Sequence, residues 1–471
     1  MKNKIAVTCG CAGMLLCNTA AVAQTDTGGK MAEKVYDVTG RRELFIDDFL
    51  IEKSRSLNFV QHEPSEVAGD KMRPLGHYGT VLKKPDGSFL YYYRDVDSAY
   101  NGKLYNNHPG EFVGMAVSKD GVKWERPDLN LFPGKAVPGN VIIYGKDRIT
   151  HNLAPFYDAN PLCRESERYK AVAGVRETNG LFAFYSADGI NWKMYGTEPV
   201  IKYEPQKNGG HMIDSLNSVF YSTAEQCYVM YIRVWKTADN LIGLRSFAKV
   251  TSCDFLHWSE PEYLKVNRKN EHLYISGLTP YERAPHYYVG AATRYFGNRG
   301  SATDVALIFS RNGQGIIRPS YEAWIKPGLD PERWLNRMNY IAWGMVQETP
   351  ETLLFYHDRK HLVYRLRTDG FVSLHAGINT GTFTTRVLER RGGNLEFNVS
   401  TSAGGAFRVE VCNENGSAVP GYTFEDMKEF YGDSIAFVPE WNGKKFADLP
   451  AGKFRLNIRM RECDLYSVSF K

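Results

Sequence analysis

One small turn constrains this chain more than any other feature. It reads "SKDGVKW" at 118–124, "SADGINW" at 186–192 and "SCDFLHW" at 252–258. Trp124, Trp192, Trp258 and Trp324 follow one another at intervals of 68, 66 and 66 residues. The fourth copy is degraded, keeping Ser310, Asn312, Gly313 and a late Trp324. A fifth, "RLRTDGFVSL", keeps Asp369 and Gly370 without the Trp. A period near 66 residues, combined with strand patterning, marks a repeated supersecondary unit.

The first unit runs "YGTVLKK", the turn "PDG", "SFLYYYR", a longer loop, "FVGMAVS", the turn "KDG" and "VKWERP". That is four short strands joined by hairpin turns. Asp-Gly supplies the positive φ such turns need, and the Trp after it can pack between neighbouring sheets. No window shows sustained helical periodicity. Four strands per repeat define a β-propeller blade, and five blades are expected at about 76–135, 148–202, 212–265, 273–328 and 339–374. The turn is then a structural staple on one rim, and Asp120, Asp188 and Asp254 are assigned no catalysis. Residues 24–75 precede the blades, with a strand expected over 43–51 in "ELFIDDFLI". After about Ala376 the blade period stops. "TTRVLERRGGNLEFNVST" and "GKFRLNIRMRECDLYSVSFK" alternate like strands, with Gly and Asn turns between such stretches, which suggests a β-sandwich over 376–471. The expected fold class is all-β: a five-bladed β-propeller over 76–375, followed by a β-sandwich that docks on it.

Length and composition fit this reading. The 471 residues are enough for two domains, and 43% hydrophobic with 24% charged residues is globular. Aromatics at 13%, led by 29 Tyr, suit a β-rich protein with a ring- or sugar-stacking surface. The net charge of +5 is thinly spread, and no basic run argues for nucleic acid. The start, "MKNKIAVTCGCAGMLLCNTAAVAQ", has a basic opening, an apolar run and a small-x-small signal at Ala21-Val22-Ala23. It reads as a signal peptide over 1–23, so the mature protein is expected to be periplasmic or secreted. Leu16 is too bulky for lipoprotein processing at Cys17. No other stretch is long and apolar enough to span a membrane. The remaining cysteines are Cys163, Cys227, Cys253, Cys412 and Cys463. They are odd in number, scattered and without a C-x-x-C, and read as mostly buried small hydrophobes with neither a disulfide framework nor a zinc site.

A propeller of such turns with a trailing β-sandwich resembles the invertase, levanase and arabinofuranosidase type of glycoside hydrolases, and the mannoside-phosphorylase group on the same propeller. More narrowly, "ELFIDDFLIE", "NPLCRESERYKA" and "RLRTDGFVSL" look like a bacterial glycosidase-like group. The resemblance implies carbohydrate chemistry, no organic cofactor, and room for a structural calcium in the channel, although no D-x-D-x-D loop signals one. The invertase motifs N-D-P-N-G and E-C-P and the phosphorylase-like E-D-P-R do not occur, so catalytic carboxylates must be argued from topology.

In a propeller the first strand of each blade starts, and the second ends, on the face where ligands bind. First-strand starts supply His77, Tyr78, His151, Asn152, His211, Asp214, Asn217, Tyr274 and Ser276. Second-strand ends supply Arg94-Asp95, Arg176-Glu177, Arg233 and Arg294. Cleavage of a glycosidic bond needs a general acid and a nucleophile or base. Asp214 is the first choice, because it begins the inner strand of blade three, where the resembling invertases place their acid/base. Asp95, then Glu177, then Asp48 are its expected partners. His77, His151, Asn152, His211, Asn217, Arg94, Arg176, Arg233 and Arg294 are expected to bind substrate. The guanidinium forks favour an anionic sugar, uronate or sulfate. At least half of these arginines are expected only to pair with a neighbouring blade, and Asp47 or Asp48 to guard an edge strand. Tyr100, Tyr105, Asn106 and His108, on the longest loop of this face, could form a sugar subsite. Glu282 and Glu348 fall at the far ends of their strands and are set aside. Two rival readings remain: a non-catalytic carbohydrate-binding propeller, and a glycan lyase with a His or Tyr base.

Overall fold

The blades are built as antiparallel sheets whose strands follow the chain. In this computed structural model, residues 34–67, 76–97, 99–100, 110–145, 149–205, 212–360 and 362–471 are described. Blade one comprises His77–Lys83, Phe89–Val96, Glu111–Ser118 and Val141–Tyr144. Blades two, three and four centre on Tyr169–Val175, Cys227–Lys236 and Ala284–Phe296, each flanked by its own strands. Blade five is Val346–Thr349, Thr352–Tyr356 and Val363–Arg367, completed by Ser65–Glu66 from the N-terminal segment. Glu66 pairs with Tyr364 and Ser65 with Arg365, so the last blade borrows its outer strand from ahead of the first and the ring closes. The outer strand of blade one lies beyond the expected "VKWERP". That stretch makes a single bridge, Glu125 to Val117, and the ladder resumes at Val141.

The recurring turn has a physical explanation. Ser118 Oγ accepts the Gly121 N–H at 2.9 Å, and Asp120 Oδ1 accepts the Val122 and Lys123 N–H groups at 2.8 Å each. Trp124 Nε1 closes it by donating to the Gly121 carbonyl at 3.0 Å. The copy at 186–192 repeats these bonds. In the third copy Phe255 takes the glycine position at φ 71°, held there by its buried ring against Phe156 and Tyr228. Burial pushes the Asp188 carboxyl up, but the Asn191 and Ile190 donors outweigh it and bring it down to about 2. The turn also staples blades together. Tyr356 of blade five donates to Gly121 O at 2.6 Å, and Tyr92 of blade one to Gly189 O at 2.9 Å.

The C-terminal part is organised by one long antiparallel pair, Leu395–Cys412 with Gly452–Phe470. Its register breaks between Thr401 and Ala406, which bends the ribbon. The two halves then face each other across a core that includes Phe397 and Phe407, with ring centroids 5.1 Å apart. The N-terminal strands Arg42–Leu44, Ile51–Arg55 and Asn58–Gln61 join the same ten-stranded sheet. The strand expected over 43–51 is therefore split: Asp47 Oδ1 accepts the Phe49 N–H and turns the chain before Ile51. The fifth Asp-Gly turn joins the two parts. Buried Asp369 accepts from Tyr281 Oη at 2.5 Å, Ser467 Oγ at 2.7 Å, Arg283 Nε at 3.1 Å and Arg42 Nη1 at 3.2 Å. Burial pushes its carboxyl up, and Arg283 and Arg42 more than reverse that. All five described cysteines are free, but only Cys412 and Cys463 are buried; Cys253 is exposed.

Candidate functional site

Side chains from all five blades meet at one mouth of the propeller, and each hands on to the next. Arg94, at the end of blade one's second strand, donates to His151 and, at 2.8 Å, to Asn152 Oδ1 of blade two. His151 Nε2 stands 4.0 Å from Asp214 Oδ1 of blade three. Arg233, also of blade three, pairs with Asp214 Oδ2 at 3.3 Å and lies 4.7 Å over the Tyr274 ring at the start of blade four. Tyr274 packs 5.7 Å from Tyr340, which leads into blade five, and Tyr340 packs 5.7 Å from Tyr78 of blade one. The Tyr78 N–H donates to Asp358 of blade five at 2.7 Å, and Arg94 covers the Tyr78 ring at 4.6 Å.

The local backbone explains why these side chains point inward. Tyr78, Asn152 and Ile213 all have φ between 56° and 58°, just ahead of or within the opening of their inner strands. Asn tolerates this conformation, whereas a β-branched Ile does so only under strain of roughly 1–3 kcal/mol. The strain at Ile213 is imposed by its surroundings. Its N–H donates to the Arg233 carbonyl at 2.9 Å, and Asn217 Nδ2 donates to the carbonyls of Ile213 and Ser215 at 3.0 and 2.9 Å. The result presents Asp214, whose side chain keeps 35% exposure while Arg233 keeps 2%. Asn217 is thus a scaffold that positions Asp214. Ser276 does similar work, meeting Ser218 of blade three at 2.9 Å.

Other expected residues are placed elsewhere. Asp95 follows Arg94 on the strand and so faces the other side of the sheet. Its carboxylate accepts its neighbour's N–H, from Val96, at 2.9 Å, and no bond or ion pair ties it to Asp214 among the described residues. Arg176 and Glu177 sit in a short 3₁₀ turn and pair with each other at 2.9 Å. Arg294 is locked to Asp304 on the adjacent strand by two bonds of 2.6 Å. Asp48 is corrected outright. Its neighbour Asp47 pairs with Arg311 at the Asp-Gly-turn end of blade four's third strand, so this segment belongs to the opposite face. His77 meets Arg359 at 3.3 Å. His211, Tyr105, Asn106 and His108 lie outside the described residues.

Several members of the ring were not anticipated. Glu111, at the start of blade one's third strand, accepts from His151 Nδ1 at 2.8 Å. Asp358 and Arg359 follow the second strand of blade five in "FYHDRK", close to where Arg94-Asp95 stand in blade one, so the periodicity could have found them. Buried Asp358 is pushed up by desolvation, beyond what the Gly79 and Tyr78 N–H groups recover. Arg337 and Arg245 come from loop and third-strand positions that carry no pattern. At the opposite mouth a hollow of about 740 Å³ is lined by Lys83, Tyr157, Tyr221, Glu282 and Trp343. Its one ion pair, Lys83 to Glu282 at 2.8 Å, is surface-exposed and forms no catalytic grouping. Among the described residues no cluster of three or more His, Cys, Asp or Glu is placed to hold a metal, and no helix is long and apolar enough to cross a membrane.

No protein-family model matches the chain, and no curated protein does. Solved structures show a distant likeness. A glycosyl hydrolase from Bacteroides ovatus is 12% identical, covering 71% of this chain and 94% of its own, with a TM-score of 0.41. The β-1,2-mannobiose phosphorylase of Listeria innocua is 12% identical over 69% and 96%, with a TM-score of 0.44. The exo-inulinase of Aspergillus awamori is 12% identical over 87% and 98%, with a TM-score of 0.39. At such identities the chemistry has to be argued from the site.

Proposed function

We propose that this chain is a glycoside hydrolase that cleaves a glycosidic bond in an acidic poly- or oligosaccharide, one carrying uronate or sulfate groups. Asp214 carries the reading. It is a solvent-reachable carboxylate at the mouth of a five-bladed ring, held between His151 and the buried guanidinium of Arg233. A carboxylate fixed at the mouth of a propeller can protonate a leaving oxygen or activate water. The acidic substrate follows from charge. Arg94, Arg233, Arg245, Arg337 and Arg359 surround this mouth, against the carboxylates Asp214, Glu111 and Asp358. Guanidinium forks are suited to carboxylate and sulfate oxygens. The N-terminal basic and apolar run supports export, which would bring the protein to extracellular or periplasmic glycans.

The test is incubation of the purified protein with uronate-containing and sulfated polysaccharides beside neutral furanosides, with products read by chromatography and mass. Release of saturated acidic fragments is the expected result. Cleavage of neutral furanosides alone would remove the acidic substrate. Retention of glycan without any product would make the propeller a binding module.

A further inference from the structure

On the side of the mouth, the connection from blade three into blade four and the end of blade four's second strand enclose two adjoining hollows of about 380 and about 1020 Å³. They share Arg268, Asn270, Arg294, Phe296 and Asn298, so they form one trough. Ligand clefts reach about 1,000 Å³, and the larger hollow alone has room for linked sugar rings. We infer that this trough is a second binding element, which holds the flanking stretch of an acidic polysaccharide whose scissile bond lies over Asp214; this rests on the acidic-glycan reading above and makes the substrate a polymer.

Two aromatic side chains stand open in the larger hollow, on the connection from blade four into blade five. Trp334 is 57% exposed, yet its indole is fixed, with Nε1 donating to the Gly328 carbonyl at 3.0 Å. Tyr321 is 50% exposed. Arg294 Nη1 donates to the Tyr321 carbonyl at 2.7 Å, and Arg318 stacks 4.7 Å over its ring. Arg294, itself locked to Asp304, thus braces this platform from below. A fixed ring left in water offers a flat apolar face to a sugar ring and loses little freedom when the sugar binds. Asn270 and Asn298 are exposed beside it, and their amides can meet sugar hydroxyls.

Charge selects the ligand. Of the acids lining the trough, Asp304 is taken by Arg294, and Glu271 is taken from behind by Arg318 at 2.6 Å. Lys326 is taken by Glu63. That leaves Arg268, Lys269 and Arg299, exposed and in no ion pair among the described residues, against the single carboxylate of Glu322. Three cations facing one carboxylate favour an anionic chain. Aromatic contacts carry the trough inward to the mouth. His272 and Tyr295 line its smaller hollow, and the Tyr295 ring lies 6.1 Å from that of Tyr274. Arg245 stacks over both, at 4.4 Å from Tyr295 and 5.2 Å from Tyr274. Tyr274 in turn lies under Arg233, the partner of Asp214.

Affinity electrophoresis tests this, with polygalacturonate or chondroitin sulfate in the gel and levan as the neutral control. The whole protein carries Asp214→Asn, so that the gel polymer stays intact, and Trp334→Ala and the pair Arg268→Ala with Lys269→Ala are each added to it. Retention by at least one acidic polymer and not by levan is expected. Trp334→Ala should raise the Kd for that polymer roughly tenfold. The arginine–lysine pair should raise it similarly and flatten its dependence on salt. Unaltered melting curves show that both variants are folded. Unchanged retention in both variants, equal retention by levan, or no retention by either acidic polymer overturns the trough. Self-association that sedimentation detects and Trp334→Ala abolishes gives the patch to a second copy of the chain, and overturns it too. Retention is read without turnover, so the two readings fail separately. Retention that depends on Trp334, in a protein that cleaves no glycan, keeps the trough and removes the hydrolase; cleavage of an acidic glycan with unchanged retention does the reverse.

Discussion

At the scale of single residues, the site depends on a few strained or buried groups. Ile213 holds a left-handed conformation so that Asp214 can face the mouth, and Asn217 clamps that turn through two backbone carbonyls. Asn217→Ala should therefore misplace Asp214 and lower kcat by roughly 10²-fold, with a melting temperature only a few degrees down. Parallel activity and thermal-melt assays check this, and unchanged activity would contradict the scaffold role. Asp369 is the second such residue. Its carboxyl is held below the usual range in the folded chain. A depressed folded value contributes stability above the unfolded value of about 3.9, and that stability is lost as pH falls through the folded value. Glu43, which accepts from Tyr287 and pairs with His286, is depressed in the same way against its burial. Denaturation curves should show stability falling steeply below about pH 4, and Asp369→Asn should flatten that limb. Asp369→Ala should cost about 3–5 kcal/mol, because Arg42 and Arg283 are left without their carboxylate.

At the scale of elements, local patterns were legible and borrowed ones were not. The Ser-x-Asp-Gly-x-x-Trp turn could be read because every bond in it lies within a few residues, and so could the alternation that puts Arg94 and Arg233 at strand ends. The outer strand of blade one was missed because Val141–Tyr144 follows a connection with no strand pattern. Asp48 was misassigned because "ELFIDDFLI" alternates like one strand, while the Asp47 side chain turns the backbone inside it. Asp95 is placed apart for a simpler reason: neighbouring residues within a strand point to opposite sides, and Arg94 takes the side of the mouth. The turn itself makes a prediction. Trp192→Ala removes the indole N–H bond to Gly189 and an edge contact to Tyr92 at 6.1 Å. It should destabilise the chain by about 3–5 kcal/mol by chemical denaturation while sparing the chemistry at the opposite mouth.

At the scale of the whole molecule, closure is the decisive feature. Ser65–Glu66 carries no readable strand signal, yet it completes blade five and locks the ring. The N-terminal strands also belong to the C-terminal sheet, so the propeller and the sandwich share one piece of chain. A chain beginning at His77 should lose the cooperative melt, whereas one beginning at Val35 should keep it. Calorimetry distinguishes the two. Only a closed ring brings Arg94, His151, Asp214, Tyr274 and Asp358 to one mouth, so strand ends become informative once five blades are counted. The most direct test compares Asp214→Asn with the unaltered protein on one acidic glycan, measuring affinity by calorimetry and turnover by fragment release. Affinity should stay within a few-fold while turnover falls roughly 10³-fold or more; equal turnover in the two proteins would contradict catalysis at this mouth.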